Sequence, residues 1–306
     1  MPRVAGHAVS AHDLLVLHRL QFPLPVTYVC YAAWGACFAV PEAAGLADLR
    51  VLAAIMANLL LIVGGLVLNN VVDVRTDQRH SEKQYLATAT NRVGVRRALR
   101  WAWHELTVAI GLCVAIGYTA GRWAPVAIAV VTITATLLYN LEPIRLKRHG
   151  LAGPLVFGVA LVGMPCLLSY TAARPDVEAW IWPVAAGVAL LTAGRTVWWS
   201  VPDRAADMAT GITTPSVRYG HAGTLAMACV VLLAGLLLLG WGLWWSFGPL
   251  WAIVGTVVHL GFLTGVAGQF VLARRGRFPS ATVLLKRGLP VVMLGEVALV
   301  VVPLAA

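Results

Sequence analysis

Apolar residues in this chain come in long runs rather than in alternation. Beginning with "PLPVTYVCYAAWGACFAV", stretches of about 20 predominantly apolar residues recur to the C-terminus, each long enough for a helix to cross a hydrocarbon core. The pattern predicts about nine spans, over 22–40, 50–70, 97–119, 123–140, 151–172, 178–200, 222–246, 249–272 and 285–304. Long polar loops follow every second span, at 71–96, 141–150, 201–221 and 273–284. Short, charge-poor turns near Pro41–Asp48, Gly121–Arg122, Arg174–Asp176 and Phe247–Gly248 follow the others. The fold class this implies is an all-α polytopic membrane protein of one domain covering 1–306.

Composition agrees with that reading. Of 306 residues, 59% are hydrophobic and 12% charged, and a soluble domain carries about twice that charged fraction. The first twenty residues, "MPRVAGHAVSAHDLLVLHRL", are too polar for a cleavable signal, so the first apolar segment reads as a retained helix. Cys30, Cys37, Cys113, Cys166 and Cys229 all fall inside apolar segments and form no CxxC pair, which reads as core packing rather than a thiolate metal site.

The net charge of +10 is distributed unevenly. Arg75, Arg79, Lys83, Arg92, Arg96, Arg97, Arg100, Arg145, Lys147, Arg148, Arg204, Arg218, Arg274, Arg275, Arg277, Lys286 and Arg287 flank or occupy the long loops, against Arg50, Arg122 and Arg174 on the opposite side. Lys and Arg concentrate in cytoplasmic loops, so the long loops and the N-terminus are expected to face the cytoplasm. In a cell with one energised membrane this means the inner (plasma) membrane. Anionic-lipid attraction alone accounts equally well for Arg274, Arg275 and Arg277. Short loops on a bilayer protein offer no groove for nucleic acid, so none is expected as a partner.

Two acidic stripes stand out at the cytoplasmic boundary. In "LNNVVDVRTDQ", Asn69, Asp73 and Asp77 recur at four-residue steps, which places them on one helical face. In "VPDRAADMATG", Asp203 and Asp207 repeat the step after a distant span that reaches the same side. Carboxylates there repel one another and resist desolvation. Facing stripes become favourable when divalent cations lie between them. Mg2+ prefers oxygen ligands and usually takes one or two carboxylates together with substrate phosphates. A third stretch, "LLYNLEPIRLKRHG", offers Tyr139, Arg145 and Lys147 to phosphate oxygens, and Lys83 and Arg218 could add further cations. Metal-binding carboxylates, phosphate-binding cations and an apolar bundle together suit a lipid diphosphate, its head at the cytosolic edge and its tail between helices.

At these residues the chain resembles the UbiA superfamily of intramembrane prenyltransferases. Asn69, Asp73 and Asp77 match the family's NxxxDxxxD motif, Asp203 and Asp207 its DxxxD-type motif, and Tyr139, Pro143 and Lys147 its Tyr-xxx-Pro-xxx-Lys element. "DMATGITTPSVRYG" is similar to the family's stretch after the second acidic motif. The chain departs from common family patterns at Asn70, at Ser200 and in "KQYLATA". The resemblance implies nine helices around a central lipid-open cavity. It further implies Mg2+ held by Asn69, Asp73, Asp77, Asp203 and Asp207, with Asp73, Asp77, Asp203 and Asp207 as the catalytic acids. Lys83, Tyr139, Arg145, Lys147 and Arg218 would surround a prenyl diphosphate, and Arg19 resembles a basic residue at the acceptor end.

Prenyl transfer to an aromatic or other lipophilic acceptor is the expected activity. A terpene cyclase of the same family would use the same metal motifs without an acceptor. A secondary transporter, with His104, Glu105, His259 and Glu296 as an ion relay, is the rival from another class. Trp198, Trp199, Trp101 and Trp103 could shield an allylic cation, although interfacial anchoring explains most of the tryptophans.

Overall fold

A computed structural model describes residues 9–79, 83–277 and 281–306, with backbone alone for 281–286. The N-terminal residues expected on the cytoplasmic face, the Lys286 side chain and parts of the 71–96 and 273–284 loops lie outside these. The described residues are helical with no strand beyond one isolated bridge, between His149 and Thr213.

A short helix, α1 (Ala11–Leu17), opens the chain on a capping box in which Ser10 and Asp13 bond reciprocally. Then follow α2 (Leu24–Ala39), α3 (Leu49–Asp77), α4 (Gln84–Val93), α5 (Val95–Ala120) and α6 (Ala124–Asn140). The second half holds α7 (Ala152–Ala173), α8 (Ile181–Thr210), α9 (Pro215–Arg274) and α10 (Ala281–Ala305). Six of these helices are long and apolar enough to cross a membrane, and α2 and α6 are shorter apolar helices.

α9 is two limbs rather than one rod. Gly248 has φ +83°, a left-handed conformation that only glycine adopts without strain, and Pro249 follows it. The limbs fold back on each other, since a Cβ on Gly255 would lie 2.5 Å from Leu243 and one on Gly240 would lie 3.6 Å from Thr256. With α9 crossing twice, the described residues make nine passes, as the hydrophobic pattern predicts. This is a multi-pass membrane protein.

The pattern misplaces the ends of two spans. α3 runs on to Asp77 and α8 to Thr210, so both acidic stripes are helical rather than part of loops 71–96 and 201–221. The first of these loops also contains α4. Polar residues at a helix end read as loop because the hydrophobic signal stops, while the backbone hydrogen-bond ladder does not.

Small residues set the helix spacing, as expected where lipid supplies little force between helices. A Cβ on Gly187 would stand 2.9 Å from the Gly235 carbonyl oxygen, and one on Gly235 would stand equally close to that of Gly187. α8 and the first limb of α9 therefore touch backbone to backbone. The same contact joins α2 to α7, where a Cβ on Gly35 would fall 1.7 Å from the Cys166 carbonyl oxygen. These crossings set how closely α8 meets α9 and α2 meets α7.

Candidate active site

α3 and α8 bring the two acidic stripes to one cavity of about 470 Å³. Asn69, Asp73, Asp77, Asp203 and Asp207 all line it, together with Arg19, Lys83, Tyr139 and Lys147. Its deeper wall carries Leu24, Tyr28, Leu66, Phe157, Leu161 and Val292, an apolar lining suited to a hydrocarbon tail.

Each acid on this rim has a defined partner set. Asp73 Oδ1 accepts from Lys147 Nζ and, at 3.1 Å, from an Arg145 Nη. Asp73 Oδ2 accepts from Asn69 Nδ2 at 3.0 Å, and that amide nitrogen also donates to Asn140 Oδ1 at 2.9 Å. Asp203 Oδ2 accepts from Lys83 Nζ at 2.6 Å, and Asp207 Oδ2 accepts from the Thr214 hydroxyl at 2.8 Å. Burial pulls the Lys83 ammonium toward its neutral form, but Asp203 outweighs it and the pKa is raised. Burial wins at Lys147, whose pKa is lowered despite Asp73.

Among the described residues, no three acid, histidine or cysteine side chains close up as a metal cluster; cations brace the acids instead. Asp77 is the exception that speaks for a metal. It is 6% exposed, lines the cavity, and its Oδ2 has no hydrogen-bond partner among the described residues. A buried carboxylate oxygen left unpaired costs free energy that a bound cation would recover. The donor set is all oxygen, as Mg2+ prefers.

Arg145 and Arg218 stand apart from the other expected phosphate ligands. Arg145 is buried behind Asp73, between it and Glu142, and is not among the cavity-lining residues. Arg218 is exposed, its guanidinium 5.4 Å above the ring of its neighbour Tyr219, and it does not line the cavity either. Charge and position after a motif could not reveal which way either side chain turns.

Arg19 sits in a clamp. Its Nε and one Nη donate to Asn70 Oδ1 at 3.0 and 2.7 Å, and the same Nη donates to Asn69 Oδ1 at 2.9 Å. Asn70 thus meets the Arg19 guanidinium as a neutral acceptor. Trp198 and Trp199 line the cavity, their rings 5.6 Å apart, with Trp198 also edge-on to Phe262 at 5.2 Å. Trp101 packs on His18 and Trp103 is exposed, so neither reaches the cavity lining.

The ionisable residues that suggested a relay fall in separate places. Glu105 bonds His18 at 2.8 Å, His104 is exposed, and Glu296 pairs with Arg195 at 2.6 Å, with His259 packed against its neighbour Gly295. Arg195, Glu296, Tyr31 and Thr192 line the same cavity as the acids. Sequence reasoning singled out Glu296 only as part of an ion relay and passed over Arg195, Tyr31 and Thr192. Helical register held the clue, since Thr192, Arg195, Trp199, Asp203 and Asp207 share one face of α8.

The profile of the UbiA prenyltransferase family matches residues 28–291. The chain belongs to that family. Its relatives include a 4-hydroxybenzoate octaprenyltransferase of Azotobacter vinelandii, 28% identical over 278 residues, 89% of this chain and 86% of that one. An enzyme of the same name from Pseudomonas aeruginosa is 26% identical over 233 residues, covering 74% and 73% of the two chains. Among solved structures, a UbiA homologue from Archaeoglobus fulgidus bound to GPP and Mg2+ aligns over 96% of this chain and 100% of its own, with TM-score 0.70 and 16% identity. The apo UbiA homologue from Aeropyrum pernix aligns over 92% and 97%, with TM-score 0.70 and 16% identity. At these identities the structural likeness speaks for the UbiA fold.

Proposed function

We propose that this UbiA-family chain is a Mg2+-dependent prenyltransferase, which ionises an isoprenoid diphosphate and passes the prenyl group to a lipophilic aromatic acceptor. The observation that carries the reading is one cavity, lined by acids, cations and apolar side chains together and shared by two stripes from distant parts of the chain. Relatives named for octaprenyl transfer to 4-hydroxybenzoate, and a structural neighbour holding GPP and Mg2+, support the same chemistry.

Asn69, Asp73, Asp77, Asp203 and Asp207 are the residues that would hold Mg2+. When bound, it supplies positive charge against which a diphosphate leaves. Lys83 and Lys147 lie on the rim to bind diphosphate oxygens, exchanging part of their contact with Asp203 and Asp73. Tyr139 adds a hydroxyl from the cavity wall. Arg145 acts through Asp73, which it positions from behind. Trp198, Trp199 and Tyr28 line the cavity, where their rings would shield the allylic cation left by the departing diphosphate from water. The basic loops at the rim support a cytoplasmic-side orientation in the inner membrane.

Purified protein supplied with Mg2+ and geranyl, farnesyl or geranylgeranyl diphosphate tests this. Prenylated product should form only when an aromatic acceptor such as 4-hydroxybenzoate is added, and Asp207→Ala should abolish it. A cyclic hydrocarbon or alcohol formed without acceptor would replace transfer with cyclisation. Full turnover by both Asp73→Ala and Asp207→Ala would remove the acids from the reaction.

A further inference from the structure

The cavity has a second polar end, inside the membrane. Glu296 on α10 is completely buried and lines the cavity. Its Oε1 accepts from Arg195 at 2.6 Å and from the Tyr31 hydroxyl at 2.6 Å, and its backbone carbonyl accepts from the Trp34 indole at 3.0 Å. Its Oε2 accepts from nothing. Three helices therefore converge to fix a carboxylate with one oxygen saturated and the other bare.

A carboxylate at this depth is expensive, and leaving one oxygen unpaired costs about 1–3 kcal/mol more. Simple packing gives no reason to retain it. Arg195 does not offer a free anion clamp: besides Glu296, it donates to the Leu191 carbonyl at 3.1 Å and to the Thr192 hydroxyl at 3.2 Å. The pair is neutral as a unit, and the unmet need is for a donor. An apolar prenyl tail run against Glu296 would leave that need unmet, and a carboxylate would meet repulsion.

We infer that Glu296, held by Arg195 and Tyr31, is the docking point for a hydroxyl group on the acceptor, which donates to Oε2. This rests on the prenyl-transfer reading for the word acceptor, but not for the site itself. Arg195 lies eight residues before Asp203 on α8, about 12 Å along the helix axis. A hydroxyl held at that depth is an anchor rather than the attacking atom. It fixes the acceptor with its ring extending toward the rim, where the prenyl cation forms. The site thereby selects acceptors that direct a neutral hydroxyl, and not a carboxylate, at Glu296.

Equilibrium dialysis of the full chain in nanodiscs, without Mg2+ or diphosphate and against empty nanodiscs, gives a direct reading. 1-Naphthol should bind at least tenfold more tightly than 1-methoxynaphthalene, because a site built to accept from a hydroxyl rejects the analogue lacking it. 1-Naphthoate, which brings an acceptor and not a donor, should fail to displace 1-naphthol. In Glu296→Gln, which can present an amide donor in place of Oε2, the naphthol preference should fall to near unity. Equal affinities in the wild type, displacement by naphthoate, or an unchanged preference in Glu296→Gln would each overturn the inference. The two wild-type measurements decide even if that variant does not fold. Geranyl diphosphate turnover is scored separately. Its absence beside an intact naphthol preference would sink the prenyl-transfer reading alone.

Discussion

Replacing Asp73 by asparagine keeps the side-chain volume but removes the charge on which two buried cations rest. Asp73 is 16% exposed and its partners Lys147 and Arg145 are each 9% exposed. Breaking a fully buried pair by neutralising one member costs about 3–5 kcal/mol, because the other charge stays behind uncompensated. These groups border an open cavity, so water screens part of that cost and roughly 2 kcal/mol is expected. At about 2–4 °C per kcal/mol for a large domain, the melting temperature should drop by roughly 4–8 °C.

The same change frees Lys147 and Arg145 to seek an anion. Pyrophosphate without Mg2+ should therefore stabilise Asp73→Asn more than it stabilises the wild type, since a ligand bound only by the folded state raises its stability. The further increment that Mg2+ adds in the wild type should vanish. Turnover of geranyl diphosphate should fall by about 10²–10³-fold, the usual loss when a preorganised electrostatic group is removed. Thermal unfolding with and without pyrophosphate and Mg2+, read beside product formation, gives all three numbers. A variant with unchanged melting temperature and unchanged Mg2+ half-saturation would refute the electrostatic assignment of Asp73.

Other consequences follow from particular contacts. Asn70→Asp should place a charge against the Arg19 guanidinium, but it also removes the amide that donates to the Leu17 carbonyl at 2.7 Å; the two effects offset, so the melting temperature should not rise while KM for the diphosphate or an anionic acceptor increases severalfold. Gly35→Ala should cost about 1–3 kcal/mol or prevent folding, because the added carbon meets the Cys166 carbonyl at 1.7 Å. Gly111→Ala, with open space at its Cβ, should be neutral or stabilising in the same melting assay. Burial lowers the His18 pKa, but the Glu105 carboxylate and the Leu14 carbonyl outweigh it and hold the value above the ordinary one. That stabilisation is complete below the unfolded pKa and is lost as pH rises through the folded one, so the melting temperature should fall as pH rises above about 6.5. His18→Gln should show a shallower slope, and a steeper or equal one would exclude the His18–Glu105 contact.

Hydrophobic runs alone established a helical, nine-pass membrane protein, because crossing a bilayer demands about 20 apolar residues wherever the chain does it. Four-residue spacing alone placed Asn69, Asp73 and Asp77 on one face, and Asp203 and Asp207 on another, since helical register is a local property. What register could not say is which faces meet. Tertiary packing decides that, and it brings the acidic faces of α3 and α8 to one cavity. The same tertiary packing turned Arg218 away over Tyr219 and set Arg145 behind Asp73, although in sequence both read as phosphate ligands. It also joined Tyr31, Arg195 and Glu296, residues from three helices. A buried charge finds its partner through space, and the distance along the chain between Arg195 and Glu296 carries no trace of their 2.6 Å contact.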